Sequence, residues 1–148
     1  GVGPSILKAS KIDFYARNIL NAKEMVDALR VNFPNTEMNC KQIEGLKDIS
    51  KYKILVNTTP IGMRSKAMGI SPIDEEVVKT MNKDSIIYDI VYNPLNTELI
   101  KLAKKHGIQT IQGLDMLIYQ GAKAFEIWTG KKPDTLKMKI AALEAMID

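Results

Sequence analysis

"GLDMLIYQGAKAFEIWTG", Gly113 to Gly130, read together with "VNTTPIGM", Val56 to Met63, decides how this chain is understood. The first stretch opens a helix straight after a short apolar strand. Gly113 stands at its start, and Gln120 follows seven residues later on an otherwise apolar run. A buried or half-buried carboxamide needs partners for two donors and an acceptor. A polar ligand therefore explains Gln120 more easily than packing does. The second stretch runs off a strand end into a Thr-Pro-Gly turn, where an open α/β sheet takes its ligands.

Outward from these two segments, strand and helix patterns alternate. Lys11 to Arg17 ("KIDFYAR") places β-branched and aromatic residues at alternate positions and predicts a strand. Asn21 to Phe33 carries apolar residues at near-helical spacing, and Pro34 ends the pattern. Glu37 to Ile43 is read as a short strand. Tyr52 to Asn57 is a near-continuous apolar run, as expected of a parallel strand covered on both faces. Met63 to Ile70 reads as a mobile loop carrying Arg64 and Lys66. Ser71-Pro72-Ile73-Asp74 supplies a cap, a first-turn proline and a carboxylate for a helix reaching about Met81. Asp84 to Asp89 is the next strand, and the loop Ile90 to Asn96 leads to a helix Thr97 to His106 that Gly107 closes. Gln109 to Ile111 is a short strand, Leu114 to Thr129 a long helix ended by Gly130, and Pro133-Asp134 starts the last helix. Strands separated by helices imply parallel pairing with right-handed crossovers. The fold class expected is α/β, a doubly wound and mainly parallel sheet.

Composition narrows the function classes. With 148 residues, 45% hydrophobic and 26% charged, the chain suits one soluble domain. A single cysteine, Cys40, excludes an internal disulfide framework, and with only one histidine no structural zinc site is expected. No apolar run approaches the roughly 20 residues of a membrane span. No signal-peptide pattern opens the sequence, so no membrane partner and a cytoplasmic location are expected. The net charge of +4 is spread as single or paired lysines. It reads as a solvated surface mildly favouring anionic ligands, with no nucleic-acid partner. The opening Gly1-Val2-Gly3-Pro4 already resembles a loop, so a longer parent polypeptide is expected.

Four segments fall at carboxyl ends of predicted strands: Ala16-Arg17-Asn18, Thr58-Thr59-Pro60, Ile90 to Pro94 and Gly113 to Gln120. Arg17 at a strand end suits a cofactor 2′-phosphate, where a carboxylate would prefer a free ribose, and so favours NADP over NAD. Its bland alternative is a solvated arginine. Asn18 suits a helix cap that also faces the phosphate. Gly1-Val2-Gly3-Pro4-Ser5-Ile6 makes a poor phosphate turn, because Pro4 lacks the N–H such a turn offers. Tyr92 would offer its hydroxyl to a polyol or carboxylate, or else pack under Pro94. Asp89 reads as a structural carboxylate accepting loop N–H bonds. His106 reads as a surface residue at a helix end, Met63 and Met116 as core or rim packing that could face a flat ring, and Trp128 as core.

Together these segments resemble the C-terminal, NADP-binding domain of the shikimate dehydrogenase family, over roughly residues 11 to 148. Val56 to Met63 is similar to that family's Asn-Ala-Thr-Pro-x-Gly-Met turn, with Thr58 in place of alanine. Asp89 to Pro94 resembles its Asp-x-x-Tyr-x-Pro loop. Gly113 to Gln120, followed by Ala122, Phe125, Trp128 and Gly130, resembles its most recognisable helix. Ala16 to Asn21 resembles its Asn-Arg-Thr-x-x-Lys clamp, with Ala16 and Asn21 replacing the asparagine and the second basic residue. The resemblance implies a Rossmann-like domain and reversible reduction of 3-dehydroshikimate to shikimate with NADP, in aromatic amino-acid biosynthesis. It implies that Arg17 and Asn18 hold the 2′-phosphate and that Thr58 and Thr59 line the cofactor's path. Ile90 and Gly113 would border the nicotinamide, Met116 is counted among the cofactor-binding residues, and Tyr92 and Gln120 would hold the substrate. No catalytic residue is expected in this chain, because the family's N-terminal substrate domain, the partner within one polypeptide, carries them. A homodimer is left open. Two other readings stand: a non-catalytic scaffold derived from the enzyme, and a quinate or shikimate dehydrogenase using NAD.

Overall fold

The computed structural model describes residues 9–64 and 67–146, so the phosphate-turn segment Gly1 to Ile6 and Lys66 lie outside the described residues. The chain divides into two compact units, residues 1–47 and 48–148.

In the first unit, β1 (Lys11–Ala16) pairs in parallel with β2 (Glu37–Gln42), and α1 (Ile19–Asn32) connects them. The β1 pattern is polar on one face and apolar on the other. The register sets Lys11 beside Glu37, Asp13 beside Asn39 and Tyr15 beside Lys41. Cross-strand pairs of this kind are the sheet's unit of stabilisation. The Asp13 carboxylate is fully buried, and it accepts from Asn39 Nδ2 at 3.0 Å and Lys41 Nζ at 2.6 Å. Burying a carboxylate is tolerable only with such partners, and Asp13 in turn raises the pKa of Lys41. Val26 of α1 and Met38 of β2 are buried on the apolar side. Asn18 caps α1, its side chain accepting from the Asn21 N–H at 3.2 Å, so the helix begins two residues earlier than its apolar spacing predicts.

The second unit holds a parallel sheet in the order β3 (Ile54–Asn57), β4 (Ile86–Asp89), β5 (Gln109–Gln112). Helices α2 (Glu75–Val78), α3 (Glu98–Lys105), α4 (Gly113–Thr129) and α5 (Thr135–Glu144) accompany it. Ile87, Leu99, Ile100 and Val78 form its driest core. The strand–helix alternation and the parallel pairing follow the sequence reading, and the fold is α/β and Rossmann-like.

Three local expectations are corrected. The apolar run before Asn57 does not bury both faces of β3, since Ile54 and Val56 are 53% and 40% exposed. Apolar character reports only that a strand can be covered. The helix expected from Ser71 begins after Asp74. The Ser71 hydroxyl folds onto Ile73 instead, donating to its carbonyl at 2.6 Å, a local turn that competes with helix. The same helix stops early because the Thr80 hydroxyl donates to the Val77 carbonyl at 2.7 Å and accepts from the Ile49 N–H at 2.8 Å. Trp128, expected in the core, is 82% exposed. The buried seam of α4 runs Leu114, Ile118, Ala122, and six further residues turn Trp128 about 120° off that seam. Between β3 and α2 the chain is loop, as read over Met63 to Ile70. Turns close between Pro60 and Met63 and between Ala67 and Ile70, and the Arg64 N–H donates to the Asn93 carbonyl at 3.0 Å.

Candidate functional site

The parallel register brings three polar residues into one rung at the carboxyl end of the second sheet. Asn57 lies beside Asp89, and Asp89 beside Gln112. Asn57 and Asp89 tie down the loops that leave their own strands, and Gln112 reaches back to the loop that leaves β4. Asn57 Oδ1 accepts from the Thr59 N–H at 3.0 Å and the Thr59 hydroxyl at 2.8 Å, which bends the chain into the Thr-Pro-Gly turn. Asp89 is fully buried. Its Oδ1 accepts from Asn57 Nδ2 at 2.9 Å and the Val91 N–H at 3.0 Å, and its Oδ2 accepts from the Thr97 hydroxyl at 2.7 Å. Gln112 Nε2 donates to the Leu95 carbonyl at 2.9 Å.

Asp89 is thus the structural carboxylate its sequence context suggests. Thr97, read from the sequence only as a helix start, also braces the site. Its hydroxyl donates to Asp89 while accepting from the Ile100 N–H at 3.3 Å, so one side chain caps α3 and braces the loop. Gly62, at φ 99°, packs against it; a Cβ there would lie 3.3 Å from the Thr97 Cβ. The polar rung was equally hidden, because register is a property of paired strands.

Above the rung lies an open cleft of about 290 Å³. Thr58, Thr59, Ile90, Tyr92, Met116 and Gln120, all expected at the site, line it together. Pro60, Met63, Val91 and Leu117 complete its wall. The last two carried no polar signal that would have singled them out. Gln120 corrects its expectation: the carboxamide is exposed at the mouth of the cleft. Sitting two residues past buried Ile118 turns it about 200° off the seam, away from the core. Tyr92 is 36% exposed and stands in the wall of the cleft. The Asn93–Pro94 peptide beyond it is cis.

Gly113 does not line the cleft but sets its floor. It is buried where α4 starts, and an added Cβ would overlap the Ile90 carbonyl and come within 2.8 Å of the Val91 carbonyl oxygen. Only glycine lets the helix begin this close to the loop that carries Tyr92. Beneath, the Tyr88 phenol has its pKa pushed up by burial, with the Asp115 charge adding to the effect.

Arg17 and Asn18 belong to the first unit, where Arg17 is exposed immediately after β1. The Gln42 carboxamide, turned to face them, donates to the Ala16 and Arg17 carbonyls at 3.0 and 3.1 Å and shapes that strand end. The Asn18 side chain is engaged as the cap of α1. His106 is not the simple surface residue expected. Its Nε2 meets Glu75 Oε1 at 2.8 Å, and Lys105 Nζ meets the same oxygen at 2.9 Å. Hydrogen bonds from Lys105 and then His106 hold the Glu75 carboxyl down at about 2.

Comparison with known proteins converges on one family. The family model for the shikimate 5′-dehydrogenase C-terminal domain matches residues 113–143. Shikimate dehydrogenase (NADP(+)) of Methanococcus vannielii is 44% identical over 137 residues, covering 90% of this chain and 47% of that protein. Among solved structures, shikimate 5-dehydrogenase of Listeria monocytogenes with shikimate and NAD superposes with a TM-score of 0.81 at 29% identity, over 93% of this chain and 50% of that one. Quinate dehydrogenase of Corynebacterium glutamicum with NAD gives 0.80 at 29% identity, over 91% and 46%. The chain spans just under half the length of the Methanococcus vannielii relative.

Proposed function

Because this chain belongs to the shikimate dehydrogenase family, matching its C-terminal domain, we propose that it is the cofactor domain and one substrate wall of an NADP-dependent shikimate dehydrogenase. The reaction is the reversible reduction of 3-dehydroshikimate to shikimate. One observation carries the reading: six residues from three separate segments, Thr58, Thr59, Ile90, Tyr92, Met116 and Gln120, line a single cleft at the carboxyl end of a parallel sheet.

The residues present suit a dinucleotide. Ile90, Val91, Met116 and Leu117 give an apolar wall for a flat ring, while Thr58, Thr59, Tyr92 and Gln120 give polar edges. When bound, the nicotinamide supplies the hydride. The chain itself positions. Gly113 and Ile90 set the depth of the floor, and with Met116 they would hold the nicotinamide. The Tyr92 hydroxyl and Gln120 carboxamide hold the substrate's hydroxyl or carboxylate side. Arg17 and Asn18 hold the adenosine 2′-phosphate, with a grip weakened by Ala16 and Asn21. With Asn18 engaged as a cap, Arg17 carries most of that contact. The general acid and base come from an N-terminal domain of the same polypeptide, and the enzyme is cytoplasmic; no helix among the described residues is long and apolar enough to cross a membrane.

Calorimetry with NADP and with shikimate tests this. Heat with either ligand supports the reading, and a folded chain silent to both supports a non-catalytic scaffold. An assay of NADP-dependent shikimate oxidation by the chain alone should show no turnover. Robust turnover would refute the claim that catalysis needs residues outside it. The close likeness to a quinate dehydrogenase with NAD, joined to the thinned 2′-phosphate clamp, favours a second reading with quinate and NAD, which the same titrations with those two compounds separate.

A further inference from the structure

A second hollow of about 330 Å³ adjoins the first, sharing Met63 and Tyr92 and adding Arg64 and Asn93. Among the described residues that line the two hollows, Arg64 alone is charged, and no carboxylate faces it. The carboxylate below, Asp89, is fully buried with both oxygens hydrogen-bonded. Arg64 is exposed and takes part in no ion pair among the described residues. Its position is nonetheless fixed. Its backbone N–H donates to the Asn93 carbonyl at 3.0 Å, and the preceding turn closes with Met63 N–H on the Pro60 carbonyl at 3.2 Å.

We infer that Arg64, with the Tyr92 hydroxyl and the Asn93 carboxamide, forms an oxyanion subsite that extends the cleft. A guanidinium offers paired donors whose geometry matches carboxylate and phosphate, and a recess lined by one sign of charge concentrates ligands of the other. The anion is the carboxylate of the small hydroxylated acid or a phosphate of the cofactor. This subsite rests on the reading of the cleft as the place where both lie.

The test is a two-dimensional NMR titration of the labelled chain with sodium shikimate, with methyl shikimate and with NADP, each repeated on Arg64→Gln. Expected is movement of the Arg64 Nε–H and Asn93 signals with sodium shikimate or with NADP, which assigns the anion. Arg64→Gln should weaken that ligand on the order of tenfold and leave methyl shikimate binding unchanged. An Arg64 Nε–H that answers neither anion, or a variant that binds both as tightly as the parent, overturns the subsite. Should methyl shikimate move the Gln120 side chain while Arg64 answers no anion, the subsite fails and the dehydrogenase reading stands. Should Arg64 answer NADP while neither form of shikimate moves Gln120, the subsite stands as a cofactor-phosphate site and the substrate contact assigned to Gln120 fails.

Discussion

At position 113 the difference between hydrogen and methyl decides the depth of the cleft. Gly113→Ala drives a Cβ into the Ile90 carbonyl, which is backbone and cannot swing aside. The expected cost is about 2–4 kcal/mol, read from the urea unfolding midpoint, together with loss of any ligand heat. Gly45→Ala is the control, since nothing lies within 4 Å of its added Cβ; it should move stability by no more than about 0.5 kcal/mol. Asp89 makes a second residue-scale case. Asp89→Ala strands the Asn57 amide, the Val91 N–H and the Thr97 hydroxyl in a dry site. Unsatisfied buried groups make this worth about 3 kcal/mol or more, and a loss under about 1 kcal/mol would show that water fills the gap.

Helix ends and helix contacts carry the effects of elements. Asp134 caps α5 by accepting from the N–H groups of Leu136 at 3.0 Å and Lys137 at 3.1 Å. Asp134→Ala should therefore cost about 1 kcal/mol, with amide exchange rising first along 135–144. The contact of α2 with α3 through Glu75, Lys105 and His106 sets a pH dependence. Glu75 is held at about 2 against an ordinary 4.5, so its folded form prefers the charged state. The stability it contributes is whole above pH 4.5 and is lost as pH falls through 4.5 towards 2. Glu75→Gln should flatten that stretch of the curve of melting temperature against pH. An unchanged acid limb would mean that other carboxylates set it.

For the whole molecule, large apolar side chains stand in solvent along α4 and α5, where Tyr119, Ile127, Trp128 and Leu136 are 66%, 71%, 82% and 66% exposed. Trp128 is the only tryptophan in the chain, so its fluorescence reports on this position alone. It should be open to acrylamide quenching, and Trp128→Lys should change stability by less than about 0.5 kcal/mol while lowering dye binding to exposed apolar surface. A tryptophan shielded in the dilute chain would contradict the exposed placement.

What the sequence determined by itself was local and periodic. Strand–helix alternation gave parallel pairing, Asn18, Thr97 and Asp134 marked helix starts, Gly107 and Gly130 marked left-handed ends, and the turn and helix motifs placed Tyr92, Gln120 and their neighbours at strand ends. Those features depend on residues a few positions apart, and backbone sterics and hydrogen-bond spacing act at that range. The tertiary structure alone decided the rung Asn57–Asp89–Gln112, the brace from Thr97, the contact of His106 with Glu75 and the outward turn of Trp128. Each joins or separates groups through strand register, loop closure or helix phase, and no periodicity along one chain segment records which surface another segment will cover.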